Sequence, residues 1–317
     1  MVSDQANVST TWDIIGLGCA ALDTVLYVEG PIASLEGKAR VSRREERLGG
    51  LSAVGLAAAV KCGASAAFAG LVGSDGASRQ VDRLMRHAGI DTGPAVRREG
   101  AAVVEAVVVV TGDPPQRLIL YGRPALAGAD ATEPPEQILL AAKVLLCDGF
   151  SPGGALRAAR IFRSAGRPVV VDVEEDQGEV TDSLIELADH VILSWEFAGR
   201  YLSARDELDA VRALWHPLRK ACVVTSGSEG CWVTDADSYP RVSHVPAFPV
   251  QAVDTTGCGD VFHGVYAALL ARGAPVAERV ERAAAASAIT AATGRGSALL
   301  PDSGAIETFL STQRKGA

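Results

Sequence analysis

Residues 253–270 read VDTTGCGDVFHGVYAALL, with two aspartates, Asp254 and Asp260, on either side of a Gly-Cys-Gly turn that precedes an alanine-rich helical pattern. Gly257 and Gly259 allow backbone conformations that a side chain forbids, and they let a ligand approach the main chain closely. The first N–H groups of a helix lack partners inside the helix and, together with the helix dipole, attract an anion. We therefore expect this turn to bind a phosphate, with Asp260 placed to accept a proton from a substrate hydroxyl. The alternative is that Asp260 only caps the helix.

On the N-terminal side of this turn, short apolar runs alternate with helical patterns along the chain of 317 residues. Continuous apolar runs bounded by turns are typical of strands that are covered on both faces. The strand-like runs include KVLLCDGF (143–150), PVVVDVE (168–174), HVILS (190–194) and ACVVTSG (221–227). Helical patterns such as GGALRAARIFRSAG (153–166) and ARDELDAVRALWHPLRK (204–220) lie between them. This βα order predicts an α/β fold with a mostly parallel sheet between two helix layers, in one domain spanning residues 1–317.

Two segments depart from this order, at about residues 24–47 and 97–124. Both alternate apolar and polar residues in the manner of half-exposed antiparallel strands, and the second contains a turn signal at TGDPPQ (111–116). We expect them to leave the main sheet and form a small β lid. The basic run ARVSRREER (39–47) lies among acidic residues, and we interpret it as a solvated strand or loop.

The composition disfavours several classes of protein. The formal charge is −8, from 38 acidic and 30 basic residues, which argues against nucleic-acid binding because phosphates are neutralised by a basic surface. No apolar run reaches about 18 residues, so we expect no membrane span, and the N-terminal MVSDQANVSTTW lacks the basic residues of a signal peptide. The six cysteines form no CxxC pair and the five histidines have no zinc-ligand spacing. We therefore expect reduced thiols and a cytoplasmic protein.

The segment GLGCAA (16–21) matches the dinucleotide-binding pattern GxGxxA, but that pattern requires a helix directly after it, and the strand-like LDTVLYVEG follows. A dinucleotide site of this kind is therefore disfavoured. The chain contains neither the P-loop pattern GxxxxGK[ST] nor the nucleophile-elbow pattern GxSxG.

The segment DTTGCGDVFHG (254–264) resembles the C-terminal signature of the ribokinase (PfkB) carbohydrate kinase family. Three further segments are similar to landmarks of that family and follow in its order. They are GLGCAALD (16–23), which ends in Asp23, the N-terminal signature at 48–90, which opens with LGG, and the nucleotide-binding segment VVTSGSEGCWV (223–233). The resemblance covers about residues 13–310, which is nearly the whole chain.

This resemblance implies a ribokinase-like three-layer α/β/α sandwich with a small β-strand lid. It also implies an ATP-dependent sugar kinase that transfers the γ-phosphoryl group to a hydroxyl of a small sugar. Asp260 would be the base, and the N–H groups from Gly257 to Asp260, including those of Cys258 and Gly259, would stabilise the transferring phosphoryl group. The lid would close over the sugar and exclude water, and pairing of lid strands between subunits would give a homodimer.

The resemblance further implies which residues bind each ligand. The sugar would contact Asp23, Gly49, Gly50, Asp260 and Arg117. ATP would contact Ser194, Thr225, Gly227, Gly230, Gly257 and Gly259, with Mg²⁺ carried on its phosphates by few protein ligands. A monovalent cation, with K⁺ as the candidate, would be held by Asp254, Thr256 and Ser297. The lid residues Tyr27 and Tyr121, and Asp148 at a strand end, are further candidates for the substrate region.

Three positions depart from the family pattern. Val54 stands where the family has a sugar-binding asparagine, which alters hydroxyl recognition by on the order of 1–3 kcal/mol. Ser194 and Phe197 replace the asparagine and glutamate of an NxxE motif next to Glu196, which affects how Mg²⁺ would be held. Cys258 replaces an alanine in the turn, where a helix N-terminus favours a low thiol pKa.

Val54, together with the segments DVFHG (260–264) and VEG (28–30), resembles the pattern of 6-deoxy-6-sulfofructose kinases. Ketohexokinase-like members and 2-keto-3-deoxygluconate kinases are similar as well, and the resemblance favours a ketose or ketose derivative as acceptor. Two alternatives stay open. A nucleoside kinase of the same fold would need aromatic residues around the base, and these make up only 5% of the chain. A noncatalytic sugar-binding or regulatory member would fit Val54 and Phe197, but not Asp260 with its glycines.

Overall fold

The computed structural model describes residues 11–29, 38–112 and 116–316, without the side chains of residues 315 and 316. Residues 113–115 of the expected turn at TGDPPQ and residues 1–10 of the polar N-terminal segment MVSDQANVSTTW therefore lie outside the described residues.

Strands and helices alternate along most of the described chain. The strands are β1 (Trp12–Leu17), β2 (Ala21–Val28), β3 (Val41–Gly49), β4 (Ala66–Phe68), β5 (Val104–Thr111), β6 (Gln116–Gly122), β7 (Ala142–Asp148), β8 (Val169–Asp172), β9 (His190–Ser194), β10 (Ala221–Thr225), β11 (Cys231–Asp235) and β12 (Ser243–Val245). The helices are α1 (Leu51–Lys61), α2 (Gly76–His87), α3 (Glu136–Leu139), α4 (Pro152–Ser164), α5 (Glu179–Leu187), α6 (Trp195–Tyr201), α7 (Glu207–Leu214), α8 (Cys258–Ala271), α9 (Val276–Thr293) and α10 (Ser303–Gly316).

The main sheet has the strand order β12-β11-β10-β9-β8-β7-β1-β4 within the described residues. Neighbours are parallel from β4 to β10, whereas β11 and β12 pair antiparallel at one edge. Right-handed βα units place their helices on the faces of such a sheet and leave the carboxyl ends of the strands at one common edge.

Helices cover both faces of this sheet. Ile14 and Ile15 are adjacent in β1, both are fully buried, and they pack into different apolar layers. Leu145 and Leu146 do the same in β7. Adjacent strand residues point to opposite faces of a sheet, so the two apolar layers lie on opposite faces. The helices α1, α8 and α9 pack in one layer, and α4, α5 and α7 pack in the other. The predicted three-layer α/β/α sandwich is confirmed.

A second, smaller sheet forms the lid, with the order β3-β2-β5-β6. Strands β2 and β3 pair antiparallel, as do β5 and β6. In contrast to the expectation of antiparallel strands throughout, β2 and β5 are parallel. The chain passes through α1, β4 and α2 between β3 and β5, and it therefore re-enters the lid from the same end as β2.

Most of the basic run at 39–47 lies on β3, which agrees with the prediction of a solvated strand or loop. The last residue of the run, Arg47, is an exception. Arg47 is only 3% exposed, because its guanidinium points into the molecule toward Asp254. In the described ranges, no helix is both long enough and apolar enough to cross a membrane.

Candidate active site

A glycine turn leads into α8. Gly257 has a φ of 80°, in the left-handed region, where a side chain would be strained. The helix begins at Cys258, whose N–H donates to Thr255 O at 3.3 Å. The N–H groups of Gly259 and Asp260 lie in the first turn, which has no preceding helical carbonyls to accept from them. The turn can therefore present these backbone donors to an anion, whereas the N–H of Cys258, which was also expected to do so, is engaged with Thr255.

Asp260 projects from this first turn into a cleft. Burial raises the pKa of its carboxyl well above the ordinary value, and the negative charges of Asp172, Glu174 and Asp23 raise it further, whereas Arg117 opposes the rise. A carboxylate with a raised pKa is a better proton acceptor than an ordinary aspartate near neutral pH. The side chain is therefore suited to take a proton rather than only to cap the helix.

The cleft is a cavity of about 950 Å³ between the lid, the glycine turn and the carboxyl ends of the main strands. One end is lined by lid and sheet residues, namely Asp23, Gly50, Arg117, Tyr121, Phe150 and Glu174. The other end is lined by Ser194, Thr225, Gly227 and Gly230 from the ends of β9 and β10. Gly257, Cys258, Gly259 and Asp260 also line this cavity. The predicted sugar, phosphoryl and nucleotide residues thus share one cavity, with the exception of Gly49.

Asp23 lies on β2 with its carboxyl packed against Gly49. A Cβ atom at Gly49 would be 2.1 Å from Asp23 Oδ1, so this position has no room for a side chain. The pKa of Asp23 is about 6, because burial raises it more than the charge of Arg47 lowers it, and Asp254 raises it further. Gly49 therefore positions the aspartate and does not line the cavity itself.

Asp254 lies behind the turn and is surrounded by donors. Arg47 Nη2 donates to Asp254 Oδ2 at 3.0 Å, and the Tyr27 hydroxyl donates to the same oxygen at 3.0 Å. Thr256 N donates to Asp254 Oδ1 at 2.8 Å. Burial would raise the pKa of Asp254, but hydrogen bonding at Thr256 and the charge of Arg47 hold it below its ordinary value. Asp254 is therefore an ionised, buried carboxylate that is already paired with a cation.

Ser297 and Thr256, the other two residues expected to bind a monovalent cation, differ in their hydrogen bonding. The hydroxyl of Ser297 donates to Leu48 O. Thr256 lines the cavity, and within the described part of the chain its Oγ1 is a buried atom without a hydrogen-bond partner. The assignment of K⁺ to these residues stays a prediction.

Two of the three lid candidates line the cavity. Arg117 Nη1 donates to Thr255 O at 2.7 Å and to Thr255 Oγ1 at 2.8 Å, which ties β6 to the glycine turn. The hydroxyl of Tyr121 donates to Glu175 Oε1 at 2.7 Å. Tyr27 is not among the lining residues and instead supports Asp254 from behind.

The residues that depart from the family pattern lie in the core or at the wall of the cavity. Val54 is 3% exposed in the core behind the turn, and its Cγ1 would be 3.7 Å from a Cβ atom at Gly257. Ser194 accepts from Phe197 N at 3.2 Å, and Phe197 stacks on Tyr201 in the apolar core. Glu196, one residue earlier, is the acid of this segment that lines the cavity.

The described residues contain no group of three His, Cys, Asp or Glu side chains that could hold a metal ion. That nucleotide phosphates would hold Mg²⁺ with few protein ligands stays a prediction, and Glu196, which lines the cavity, is a candidate for an outer contact.

Two other sequence expectations are corrected. Asp148 does not line the cavity; it is buried and accepts hydrogen bonds from Cys19 N at 2.7 Å and Ser52 Oγ at 2.6 Å. The low thiol pKa that the helix N-terminus would favour at Cys258 is not found, because burial raises the pKa of this thiol to about 12; the thiol donates to Ser287 O at 3.5 Å.

Sequence reasoning missed several residues of the site. Glu174 and Glu175 line the cavity two and three residues after the end of β8, so the carboxyl end of that buried strand was a usable signal. Phe150 lines the cavity two residues after β7 for the same reason. The burial of Arg47 could not be inferred from the sequence, because a basic residue in a run of mixed charges is usually exposed to solvent.

A backbone anion site and a basic carboxyl in one cleft suit the transfer of a phosphoryl group to a hydroxyl. The sequence matches the pfkB family carbohydrate kinase over residues 13–302. The chain therefore belongs to this family: it is a sugar kinase, a phosphotransferase that acts on a sugar hydroxyl. The fructokinase-1 of Zea mays is 31% identical over 239 residues, which cover 68% of this chain and 71% of that protein.

Solved structures show the same fold. A ribokinase from Thermotoga maritima has a TM-score of 0.79 and 22% identity, covering 95% of this chain and 99% of that one. The Arabidopsis thaliana ribokinase complexed with ribose and ATP has a TM-score of 0.78 and 19% identity, covering 94% and 98% of the two chains. The predicted ribokinase-like fold is therefore confirmed.

Proposed function

We propose that the protein transfers the γ-phosphoryl group of ATP to a hydroxyl of a small neutral ketose, with Asp260 as the base. The observation that carries this proposal is the place of Asp260. Its carboxyl and the glycine turn line the same cavity as Asp23 of the lid and Thr225 of the main sheet. An acceptor sugar and a nucleotide bound at the two ends would thus meet at Asp260.

In this reaction the acceptor hydroxyl gives its proton to an Asp260 carboxylate oxygen. A bond forms between the acceptor oxygen and the γ-phosphorus, and the bond from that phosphorus to the β,γ-bridging oxygen breaks, which releases ADP. The N–H groups of Gly257, Gly259 and Asp260 stabilise the negative charge on the transferring group. When bound with ATP, Mg²⁺ neutralises charge on the nucleotide phosphates. Arg117 holds β6 over the turn, so the lid restricts water during transfer.

The charges of the cavity favour a neutral acceptor over an anionic one. Among the described lining residues Arg117 is the one basic side chain, and its Nη1 already donates to Thr255. Asp23, Glu174 and Glu175 line the same cavity as acids. Residues 30–37 and 113–115, which the structure does not describe, contain no Lys or Arg. A sulfonate or carboxylate on the acceptor would meet net negative charge, whereas sugar hydroxyls can donate to carboxylates. This argues against a sulfonated ketose and a keto-deoxy acid.

A fructose-like ketose is the acceptor we propose, supported by the neutral-acceptor argument and by the similarity to a protein named fructokinase. The test is coupled ADP release with Mg·ATP and a panel of fructose, ribose, 6-deoxy-6-sulfofructose, 2-keto-3-deoxygluconate and adenosine. Turnover should be highest with a neutral ketose. Turnover confined to the anionic sugars or to adenosine would refute the proposed substrate class. Tight sugar binding without turnover on any acceptor would instead favour a noncatalytic role. A surface variant, Asp237→Asn, serves as the control for handling of the protein.

The lid is also the proposed site of homodimer formation. Strand β6 is one of the two outer strands of the lid sheet among the described residues, and it exposes Leu118, Ile119, Leu120 and Tyr121. An open apolar strand edge readily pairs with a second strand. Light scattering should give about twice the chain mass of 32.8 kDa, and Leu120→Lys should lower it. A monomer mass for the unmodified protein would contradict the dimer. The cytoplasmic location stays a prediction.

A further inference from the structure

We infer that the guanidinium of Arg47 is a built-in cation that holds the phosphate-binding turn in place, so that phosphoryl transfer does not require a monovalent metal ion. The inference rests on the proposed kinase reaction at Asp260. It differs from the expectation that Asp254, Thr256 and Ser297 bind K⁺, because these residues do not fit an additional cation.

The guanidinium is enclosed by protein. Arg47 lies near the end of β3, and its side chain and that of Asp254 are 2% and 0% exposed. Their atoms Nη2 and Oδ2 are 3.0 Å apart. Gly296, in the loop after α9, lies directly against the charged group: a Cβ atom there would be 2.8 Å from Arg47 Cζ and Nη1. The loop therefore closes over the guanidinium and leaves no room for a side chain between them.

The oxygens that an ion would need are mostly engaged. Oδ2 of Asp254 accepts from Tyr27 as well as from Arg47, and Oδ1 accepts from Thr256 N at 2.8 Å. Ser297 donates its hydroxyl to Leu48 O. In this described neighbourhood Thr256 Oγ1 is a buried oxygen without a hydrogen-bond partner. One neutral oxygen next to an aspartate that is already paired with a guanidinium is a poor site for a metal cation, because the cation and the guanidinium repel each other.

The position of Arg47 links its charge to the reaction. Its partner Asp254 is three residues before Gly257, so the ion pair fixes the segment from which the backbone donors project. On the lid side, Arg47 is the direct neighbour of Asp23 in the β2–β3 ladder. One side chain thus connects the sugar end with the phosphate-binding turn. A guanidinium keeps its charge in proteins and is attached to the chain, whereas a bound ion leaves when its concentration falls. Arg47 is therefore a positioning residue for the turn.

The first experiment needs no variant. We would measure kcat of the unmodified enzyme with tetramethylammonium as the only monovalent cation, and again with K⁺ at matched ionic strength, which keeps general screening constant. The two values should agree within about twofold, since K⁺ would have no specific site. Activation of about tenfold or more by K⁺ but not by tetramethylammonium would overturn the inference, because it would show a specific ion site.

The second experiment removes the charge. In tetramethylammonium buffer Arg47→Met should lose about 10²-fold in kcat, since a small displacement of reacting groups has an effect of that size. Free guanidinium or K⁺ should restore part of the loss, which a merely structural role would not predict. Arg47→Lys should retain more activity than Arg47→Met because it keeps the charge. Arg44→Met is the matched control, since Arg44 lies exposed on the same strand and pairs only with the exposed Glu46 among the described contacts. Unchanged kcat in Arg47→Met would overturn the inference.

A third measurement separates this inference from the proposed function. If no acceptor is turned over, the kinase reaction proposed here fails, and the thermal midpoint Tm still tests for the ion. Unmodified protein should show the same Tm in K⁺ and in tetramethylammonium. A rise specific to K⁺ would reveal a bound ion and overturn the inference, even without activity. The same comparison of Tm values tests for a bound K⁺ ion if the Arg47→Met variant does not fold.

Discussion

Sugar binding should depend on pH through Asp23. The pKa of this buried carboxyl is about 6 in the empty site, because burial raises it more than Arg47 lowers it, and Asp254 raises it further. At pH 5 only about one molecule in ten then carries the ionised form, against nearly all molecules at pH 8. Sugar hydroxyls donate to the ionised form and therefore favour it. The Kd of the sugar should thus be about tenfold higher at pH 5 than at pH 8. An aspartate with the ordinary pKa of 3.8 would leave Kd nearly constant over this range.

The assay is titration calorimetry with the best ketose in the Asp260→Asn variant. This background prevents phosphoryl transfer and removes the carboxyl of Asp260, while burial, Arg47 and Asp254, which set the pKa of Asp23, stay in place. The double variant Asp23→Asn/Asp260→Asn is the control and should bind weakly at every pH. A Kd that does not change between pH 5 and pH 8 in Asp260→Asn would refute the reasoning, because it would mean that Asp23 is ionised throughout or does not contact the sugar.

Three further predictions concern stability and the lid. The raised pKa of Asp23 means that its contribution to stability is fully present below the ordinary value of 3.8 and is lost as the pH rises through about 6. A rise of the pKa from 3.8 to about 6 corresponds to about 3 kcal/mol, so Asp23→Asn should raise the free energy of unfolding at pH 8 by up to about this amount but not at pH 3. Urea unfolding measures it, and an equal effect at both pH values would contradict it. Gly257→Ala should lower the free energy of unfolding by about 1–2 kcal/mol, because alanine is strained at a φ of 80°. Gly76→Ala is the control, since Gly76 has no positive φ and a Cβ atom there meets nothing within 4 Å; equal losses in the two variants would argue against strain at the turn. Arg117→Gln should lower kcat/KM about tenfold, because the hydrogen bonds to Thr255 that hold the lid over the turn are lost. Steady-state kinetics with a saturating nucleotide would show it, and an unchanged kcat/KM would mean that the lid closes without this contact.

The main sheet could be predicted from the sequence because its strands are covered on both faces. Runs such as KVLLCDGF and HVILS are apolar at consecutive positions, which only a strand between two layers requires. The parallel pairing of β2 with β5 could not be predicted in this way. Periodicity reports which face of a strand is buried, whereas pairing depends on where the chain travels between the two strands.

The site was predictable where a backbone conformation or a strand end demands particular residues. Gly257 and Asp260 are of this kind, since a left-handed turn at a helix N-terminus restricts the residues that fit. Arg47 was not predictable, because its burial results from a partner, Asp254, that lies 207 residues away in the sequence. The thiol of Cys258 shows the same limit: the helix N-terminus favours a low pKa, but packing against α9 removes the solvent and raises it.

The most direct test of the account is coupled ADP release with Mg·ATP and the best ketose, comparing the unmodified enzyme with Asp260→Asn. The carboxamide keeps the shape of the side chain but cannot accept the hydroxyl proton. If Asp260 is the base, kcat should fall by on the order of 10²–10⁴-fold while the sugar still binds. Turnover in Asp260→Asn close to that of the unmodified enzyme would contradict the account, since the proton would then leave by another route.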